Sequence, residues 1–319
     1  SKECQLCGWR HWTDSWRIHT TLVGTRTATG RYASRNPNQQ QIPLRTEWGR
    51  AVRAAFVAGE GYKLVCADLS QIELRLLAHF AKEQNMIDVF WANGDIHTHT
   101  ACLIFNKPPG KVDPILERLG CKTLNFLVTY QGTGSGFEQQ MNTMRPDKLR
   151  DPVNYERWPS LWTLDKCNGF VEDWHKAYPS VRPYMAEQTY RCRRYGMTWD
   201  LFGGVRRIPQ ARSYHEHIQE EGLRAAGNMQ IQGTAAGVMK LAMVLLGEDI
   251  EDRLEWSRPL MTIHDELIHQ VEEDRAESFG EYVKLSMEEA GNNGGSGGVE
   301  MRFRVPIKCE EKVSERWKK

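Results

Sequence analysis

Two short acidic segments contain the residue types that metal-assisted phosphate chemistry requires. The first is KLVCADLSQIELRLLAH (63–79), in which an apolar run leads into Asp68; the second is MTIHDELIH (261–269), in which another leads to Asp265 and Glu266. Each run has the pattern of a short buried strand, so each predicts a carboxylate at a strand end. A single acid there is more often a surface cap. Two on neighbouring strands could hold Mg²⁺, whose phosphate sites use one or two carboxylates.

A second set of residues recurs at every fourth position of RLGCKTLNFLVTY (118–130): Arg118, Lys122, Phe126 and Tyr130. Four residues advance an α-helix by only about 40° beyond a full turn, so the set shares one helix face. Two cations followed by two rings suit a nucleotide laid along the helix. The spacing alone leaves open an ordinary basic surface helix whose aromatic residues lie in the core.

The same segments resemble motifs of family A DNA polymerases. DLSQIELR (68–75) resembles the first polymerase motif, RLGCKTLNFLVTY the second and HDE (264–266) the third. Four further blocks are similar to the family: TATGRYASRNPNQQQIPLR (27–45), DIHTHTA (95–101), LFGGVRRIP (201–209) and NMQIQGTAAGVMKLAM (228–243). The seven blocks occur in the family's order from about residue 16 onward, which makes them far more specific together than HDE alone.

The resemblance implies an α+β fold, with a right-hand palm of antiparallel sheet and helices plus helical fingers, and with thumb and exonuclease domain absent. The implied division is an N-terminal extension or thumb remnant (1–26), a first palm part (27–94), fingers (95–212) and a second palm part (213–319). Within these, the polar, Trp-rich stretch 132–168 is expected to be a variable insertion and the Gly-rich stretch 291–298 a flexible loop.

Local patterns predict the elements that position these residues. Helices are expected at about 47–56, 111–130, 167–177, 180–195, 217–247 and 274–290. Strands are expected at 64–67, in a hairpin over 259–272, in another through 202–204, and near 301–308. The helix after the first strand should begin near Ser70, with the Ser70 hydroxyl or the Asp68 carboxylate as its cap.

By the resemblance, Asp68 and Asp265 hold two Mg²⁺ ions, which Mn²⁺ can replace. The backbone carbonyl of Leu69 is a further metal ligand, and Glu266 stands behind the metal-binding pair. Lys122 is expected to contact the phosphates and to protonate the departing pyrophosphate.

The resemblance also assigns nucleotide and nucleic-acid contacts. Residues expected to bind the incoming nucleotide are Arg118, His97, Gln71, Phe126, Tyr130 and Glu73, the last at the position that crowds a ribose 2′-hydroxyl. Residues expected to contact primer, template or minor groove are Arg31, Asn38, Arg224, Gln232 and His264. Minor-groove acceptors are shared by every base pair, so contacts there test pair shape rather than identity.

Four positions depart from the family's usual residues. Leu69 replaces a common Tyr, Gln41 an Asn and Leu127 a Gly, while Gln131 interrupts the usual Tyr-Gly. Only the backbone of Leu69 is needed as a ligand, and Gln41 keeps an amide. Leu127 and Gln131 fall at the end of the fingers helix, where the template is expected.

Composition fits a globular protein, with 40% apolar and 26% charged residues. No apolar run approaches about 18 residues, so no membrane partner is expected, and the expected location is the cytoplasm of a bacterial or phage-infected cell. The net charge of +1 does not indicate a nucleic-acid binder, although arginines cluster between 191 and 212. Cys4 and Cys7 with His11 are either half a zinc site or, as the scattered cysteines favour, reduced thiols.

The predicted function is DNA-templated DNA polymerisation by two-metal transfer of dNTP onto a primer 3′-hydroxyl, with primer–template DNA as partner. Since no segment before residue 16 could form a thumb, one alternative is the catalytic half of a split phage-type polymerase. Its second polypeptide would supply thumb or exonuclease. The motifs also leave open a related single-subunit RNA polymerase or reverse transcriptase, and an inactive DNA-binding palm.

Overall fold

The computed structural model of the chain describes residues 2–3, 10–11, 17–43, 46–250, 256–292 and 302–317. It forms two compact units. The first comprises Ser1–Asp68, Met243–Ser286 and Cys309–Lys319, and the second comprises Leu69–Ala242 and Met287–Lys308. The predicted loop at 291–298 and the pair Cys4 and Cys7 lie largely or wholly outside the described residues.

The helices in chain order are α1 (Glu47–Ala54), α2 (Ile72–Ala81), α3 (Gln84–Trp91), α4 (Ile96–Phe105), α5 (Leu119–Thr129), α6 (Gly134–Thr143), α7 (Pro152–Leu161), α8 (Leu164–Ala177), α9 (Val181–Tyr195), α10 (Glu216–Ile250) and α11 (Ala276–Asn292). The strands are β1 (Lys2–Glu3), β2 (Arg10–His11), β3 (Thr21–Val23), β4 (Ala33–Arg35), β5 (Tyr62–Leu69), β6 (Met197–Trp199), β7 (Val205–Arg207), β8 (Ser257–Ile263), β9 (Glu266–Glu272) and β10 (Cys309–Ser314).

A four-stranded sheet with the order β10-β5-β9-β8 forms the framework of the first unit. Strand β9 pairs antiparallel with both β5 and β8. Strands β5 and β9 are nearly continuous buried runs rather than alternating ones, because both faces of the sheet are covered. The two-residue turn His264–Asp265 closes the β8–β9 hairpin, as the sequence predicted.

The second unit contains most of the helices, and aromatic residues fill its core. Trp158, Trp162 and Trp174 are at most 2% exposed. Gly120 on α5 faces Trp162 so closely that an added Cβ would lie 2.1 Å from the ring. The stretch 132–168, predicted only as a polar insertion, therefore contains helices α6 and α7 and two of the tryptophans that build this core.

Three local predictions are wrong or need revision. Residues 302–308 form no strand and the last strand is β10; Pro306 lacks an N–H for a ladder, and Asn292 bonds both backbone groups of Ile307 instead. The cap residue of α2 is Gln71 (φ +54°), not Ser70 or Asp68. The predicted helix 111–130 begins with a π-helical turn, Pro114–Arg118, before α5.

One helix in the described part of the chain, Glu216–Gly247 within α10, is long and apolar enough to cross a membrane by length and composition. The sequence pattern had suggested none. Some 56% of its most apolar window is buried inside the protein, and core helices pass the same test. It is weak evidence for a membrane span.

Candidate active site

The strand register of the first unit brings the predicted acidic residues to one end of its sheet. Asp68 on β5 is the cross-strand partner of Glu266 on β9, and Asp265 precedes Glu266 in the turn. Directly opposed residues of an antiparallel pair lie on the same face, with Cβ atoms about 5 Å apart. The register thus makes Glu266 the direct cross-strand neighbour of Asp68, with Asp265 next to it in the turn; the sequence had predicted no pairing between these acidic residues.

Asp265 is held by a cation from the N-terminal part of the same unit. Arg31 Nη2 donates to Asp265 Oδ1 at 3.1 Å, and both side chains are about one-fifth exposed. The preceding turn residue is strained, since His264 has a φ of +54° that disfavours any residue with a Cβ. Strained backbone conformations of this kind occur often at functional positions.

The predicted position Asn38 and its neighbour Gln40 also have structural partners. Asn38 accepts from the backbone N–H of Gln40 and so caps a short 3-10 turn. Gln40 Nε2 donates to the carbonyl of Thr262 at 3.0 Å, which ties the turn to β8. Arg31 and Asn38, predicted for DNA contact, thus belong to the support of the hairpin.

The charge of Glu266 affects its surroundings. Burial, together with Glu266, raises the pKa of the Cys66 thiol to about 12. Burial lowers the pKa of Arg53, and Glu266 offsets part of that shift. Arg53 donates to the carbonyl of Ile42 at 3.2 Å and lies over the Trp317 ring.

The donor chemistry of this sheet end suits a hard divalent cation. Asp68, Asp265 and Glu266 offer only carboxylate oxygens, and Mg²⁺ takes such ligands with water and phosphate completing its shell. Among the described residues there is no group of three or more His, Cys, Asp or Glu side chains arranged as a metal cluster.

In the second unit, helix α5 presents the predicted face. Lys122 is exposed and Arg118, Phe126 and Tyr130 are half-buried, while nearly every other residue of α5 is buried. The spacing of four therefore marks the open side of the helix. The alternative with aromatics in the core is not what the structure shows.

Arg118 is fixed by the cap of a neighbouring helix. Its Nε donates to Asp95 Oδ2 at 2.6 Å, and Asp95 also accepts from the backbone N–H groups of His97 and Thr98 at the start of α4. Burial by itself would raise the pKa of Asp95, but the hydrogen bonds from Arg118 and Thr98 outweigh it and lower that pKa to about 2. The carboxylate stays ionised and orients the guanidinium.

A buried network determines the tautomer of His97. Trp174 Nε1 donates to Asn125 Oδ1 at 2.6 Å, and Asn125 Nδ2 lies 2.9 Å from His97 Nδ1. Because an indole N–H can only donate, Asn125 must turn its oxygen to Trp174 and its NH₂ to His97. His97 Nδ1 therefore accepts, and the proton of the neutral ring is on Nε2.

The same environment keeps His97 neutral. Its pKa is lowered to about 4, mainly by burial; Asp95 opposes this shift, and the positive charges of Lys122 and Arg118 add to it. Thr100 supports the network, since its hydroxyl donates to Asn125 Oδ1 at 3.1 Å. His97 is thus a neutral donor at its Nε2 atom.

Three further predicted residues are joined by hydrogen bonds. The Tyr130 hydroxyl donates to the buried Glu73 carboxylate and accepts from Gln232 Nε2 at 3.0 Å. Gln71, at the start of α2, has the left-handed conformation already described. Arg224 stays apart on the exposed side of α10, 3.7 Å from Glu220.

The two departures at the end of α5 are accommodated locally. Gln131 has a φ of +57°, a conformation that the usual glycine would adopt without strain. The Leu127 side chain packs over Gly132, where an added Cβ would lie 2.4 Å from it. Gly132, which has no side chain, thus leaves the space that the Leu127 side chain occupies.

Sequence reasoning missed the supporting residues Asp95, Asn125 and Trp174. Asp95 could have been found, because an Asp immediately before a helical segment is a helix-cap signature. Trp174 lies 49 residues from Asn125 and carries no local signal.

Comparison with known proteins identifies the family of the chain. The model of DNA polymerase family A matches residues 5–319. The thermostable DNA polymerase I of Thermus aquaticus is 37% identical over 94% of this chain and 32% of its own length. DNA polymerase I of Deinococcus radiodurans is 35% identical over 94% of the chain and 28% of its own length. The chain thus spans about a third of the length of these relatives.

A solved structure matches the fold of the chain. The POL domain of Pol1 from M. smegmatis, in complex with DNA primer-template and dNTP, superposes with a TM-score of 0.81 at 31% identity, covering 96% of this chain and 49% of that one. The fold is therefore the mixed helix-and-sheet fold of a polymerase domain, of which this chain is a part. The chain belongs to DNA polymerase family A.

Proposed function

We propose that this chain carries out DNA-templated DNA polymerisation. The 3′-oxygen of a primer bonds to the α-phosphorus of a dNTP, the α–β bridging bond breaks, pyrophosphate leaves and the hydroxyl proton passes to solvent. The observation that supports this most directly is the register that pairs Asp68 with Glu266 beside Asp265. It gathers carboxylates on adjacent rigid strands, as metal-assisted phosphoryl transfer requires.

The residues proposed to hold two divalent cations are Asp68, Asp265 and the backbone carbonyl of Leu69, with Mg²⁺ as the natural ion and Mn²⁺ as a substitute. Bound there, the cations would lower the pKa of the primer hydroxyl and neutralise charge developing on the α-phosphate. Glu266 is proposed to position its neighbours, because it is 4% exposed and directly opposite Asp68.

The triphosphate is proposed to lie along the open face of α5. Arg118, oriented by Asp95, offers a guanidinium fork that suits phosphate oxygens. His97 offers a neutral Nε2–H, and Lys122, which is exposed, is proposed to give a proton to the departing pyrophosphate. Gln71 is proposed as a further phosphate contact.

Sugar and base are proposed to meet Phe126, Tyr130 and Glu73. The Glu73 carboxylate is held by the Tyr130 hydroxyl and is 8% exposed, so it cannot easily move aside for a ribose 2′-hydroxyl. A fixed side chain next to C2′ would select deoxynucleotides.

Primer–template DNA is proposed to be bound by Arg31, Asn38, Arg224, Gln232 and His264. In the chain by itself, Arg31 and Gln232 donate to Asp265 and Tyr130. Binding of DNA would therefore exchange these bonds for contacts to the duplex. A second polypeptide supplying further domains, and a cytoplasmic location, complete the proposal.

The test is primer extension by the whole chain on a defined template with Mg²⁺, with dNTPs and NTPs in parallel and with EDTA as a control. Template-directed deoxynucleotide addition that EDTA abolishes is the expected result. Preferential NTP use would favour the RNA polymerase alternative. DNA binding without addition of either nucleotide would contradict catalysis and favour the inactive palm.

A further inference from the structure

One surface of the second unit combines exposed aromatic rings with arginines. It is formed by Tyr190, Arg194, Tyr195, Trp199 and Arg207, and is called the α9–hairpin surface below. The three rings are 57%, 48% and 37% exposed in that order. None of the five residues takes part in the proposed nucleotide transfer, so the surface needs another explanation.

Direct contacts between its side chains make the surface continuous. Arg194 Nη1 donates to the Tyr190 hydroxyl at 3.2 Å, and the Arg194 guanidinium lies 5.7 Å from the centre of the Tyr195 ring. The Tyr195 and Trp199 rings are 6.3 Å apart at 59°. These contacts therefore form a continuous row of side chains from the end of α9 into the hairpin.

The register of the β6–β7 hairpin adds Arg207 to the same face. Trp199 pairs with Val205 and Met197 pairs with Arg207, while Thr198 is buried on the opposite face. Since alternate residues of a strand share a face, Trp199 and Arg207 both point outward.

The surface carries uncompensated positive charge. In the part of the chain that the structure describes, Arg194 and Arg207 make no ion pair, and Arg193 and Arg206 beside them make none either. The only acid between residues 188 and 215 is Asp200, which is 9% exposed and accepts from the backbone N–H groups of Phe202 and Gly204. Asp200 is thus hydrogen-bonded within the hairpin turn and, among the described side chains, forms no ion pair with these arginines.

We propose that the α9–hairpin surface binds unpaired single-stranded DNA, with bases stacked on Tyr195 and Trp199 and phosphates at Arg194 and Arg207. Base faces are available for stacking only when the strand is unpaired, and non-specific single-strand sites combine aromatic platforms with a basic surface. This proposal extends the proposed function and rests on it in one respect, the choice of DNA as the nucleic acid. An acidic protein partner would also match the charge, but it would not explain the row of exposed aromatic rings.

The test is fluorescence anisotropy of the whole chain with a labelled oligothymidylate of about 12 nucleotides. The double variant Tyr195→Ala, Trp199→Ala should weaken binding at least about 30-fold, because each stacked ring contributes on the order of 1–3 kcal/mol. The double variant Tyr195→Phe, Trp199→Phe keeps both rings and should bind within about threefold of the wild type. Trp48→Ala, which removes an 84% exposed tryptophan of the first unit, is the matched control.

Arginine variants test the surface without substituting an aromatic residue. Arg194→Ala and Arg207→Ala should each reduce the salt dependence of single-strand binding by roughly 0.7. The proposal is overturned if the double alanine variant binds like Trp48→Ala, or if blunt duplex competes as well as the single strand. Binding of a poly-glutamate peptide in preference to DNA would also overturn it.

Primer extension on a template with a one-nucleotide overhang separates this proposal from catalysis. The double alanine variant should extend that substrate like the wild type, since little unpaired strand is present. A wild-type chain that binds single strands but extends no primer would contradict the proposed function and leave the surface intact.

Discussion

The sheet end of the first unit and the helical cluster of the second position their functional side chains by different means. Asp68 and Glu266 are placed by the backbone ladder of β5 and β9, which depends little on which side chains occupy the positions. His97 and Arg118 are placed by side chains, through Asn125 and Asp95. The difference predicts different responses to conservative substitution.

A backbone ladder tolerates loss of a functional side chain. The register survives because the hydrogen bonds that set it belong to the main chain. A side-chain network does not, because each buried polar group depends on its partner for satisfaction. Substituting a functional side chain of the sheet should therefore abolish its chemical role and leave the fold unchanged. Substituting one in the helical cluster should also disturb the positions of its neighbours.

The largest effect is expected for Asp265→Asn, which keeps the shape and removes the charge. Incorporation should fall by about a thousandfold, since a carboxylate that holds a catalytic cation supplies several kcal/mol. The thermal midpoint should change little. Single-turnover incorporation and a melting curve are the measurements, with Asp88→Asn at an exposed position of α3 as control. Incorporation within tenfold of wild type would contradict the assignment.

The next largest effect is expected for Glu73→Ala. Removing the carboxylate opens space beside the sugar, and discrimination against ribonucleotides should fall by about 100-fold. The measurement is the ratio of kcat/KM for dNTP and NTP on one template. Tyr130→Phe, which releases Glu73 but leaves it in place, should give a smaller change; unchanged selectivity in Glu73→Ala would show that another residue excludes the 2′-hydroxyl.

A smaller and more diagnostic effect is expected for Trp174→Phe. Without the indole N–H, Asn125 Oδ1 keeps only the longer bond from the Thr100 hydroxyl, at 3.1 Å, so the Nε2–H tautomer of His97 is enforced less strongly. The KM for dNTP should rise about tenfold, close to the value of one hydrogen bond, with little change in kcat.

The matched control is Trp158→Phe, whose indole N–H donates to the carbonyl of Met141 in the same core. Both variants lose one buried hydrogen bond, so both should lose similar stability. The ¹⁵N shifts of His97 should report mixed tautomers only in Trp174→Phe. A KM that rises equally in both variants would mean that general loosening, rather than the network, is responsible.

The smallest effect is a difference in acid sensitivity. Burial lowers the pKa of His79, His97 and His175 in the second unit, and of His269 in the first, from 6.5 to about 4. The unfolded chain binds these protons first, so their contribution to stability is complete above about pH 6.5 and is lost as pH falls toward 4. Asp95, with a pKa of about 2, keeps its contribution throughout that range.

The second unit contains three such histidines and the first contains one. Between pH 7 and 5, protection of amides from hydrogen exchange should therefore fall more steeply in the second unit than in the first. Amide hydrogen exchange, corrected for intrinsic rates, measures this unit by unit. Equal loss of protection in both units would mean that they open only together.

Much of the fold was predictable because the relevant signals are local. The apolar runs before Asp68 and Asp265 predicted strands, and the spacing of four from Arg118 to Tyr130 predicted the open face of α5. The strand near 301–308 was misplaced because Val305 and Ile307 are buried without pairing, and burial and strand pairing leave the same apolar pattern.

The sequence by itself determined the family, the residue types of the chemistry and the faces of the elements that carry them, since these depend on order and periodicity. Only the tertiary structure decided that Glu266 opposes Asp68, that Arg31 holds Asp265, and that Trp174 sets the tautomer of His97. Such contacts join residues far apart in the chain. Their geometry follows from packing and strand register, which no local pattern encodes.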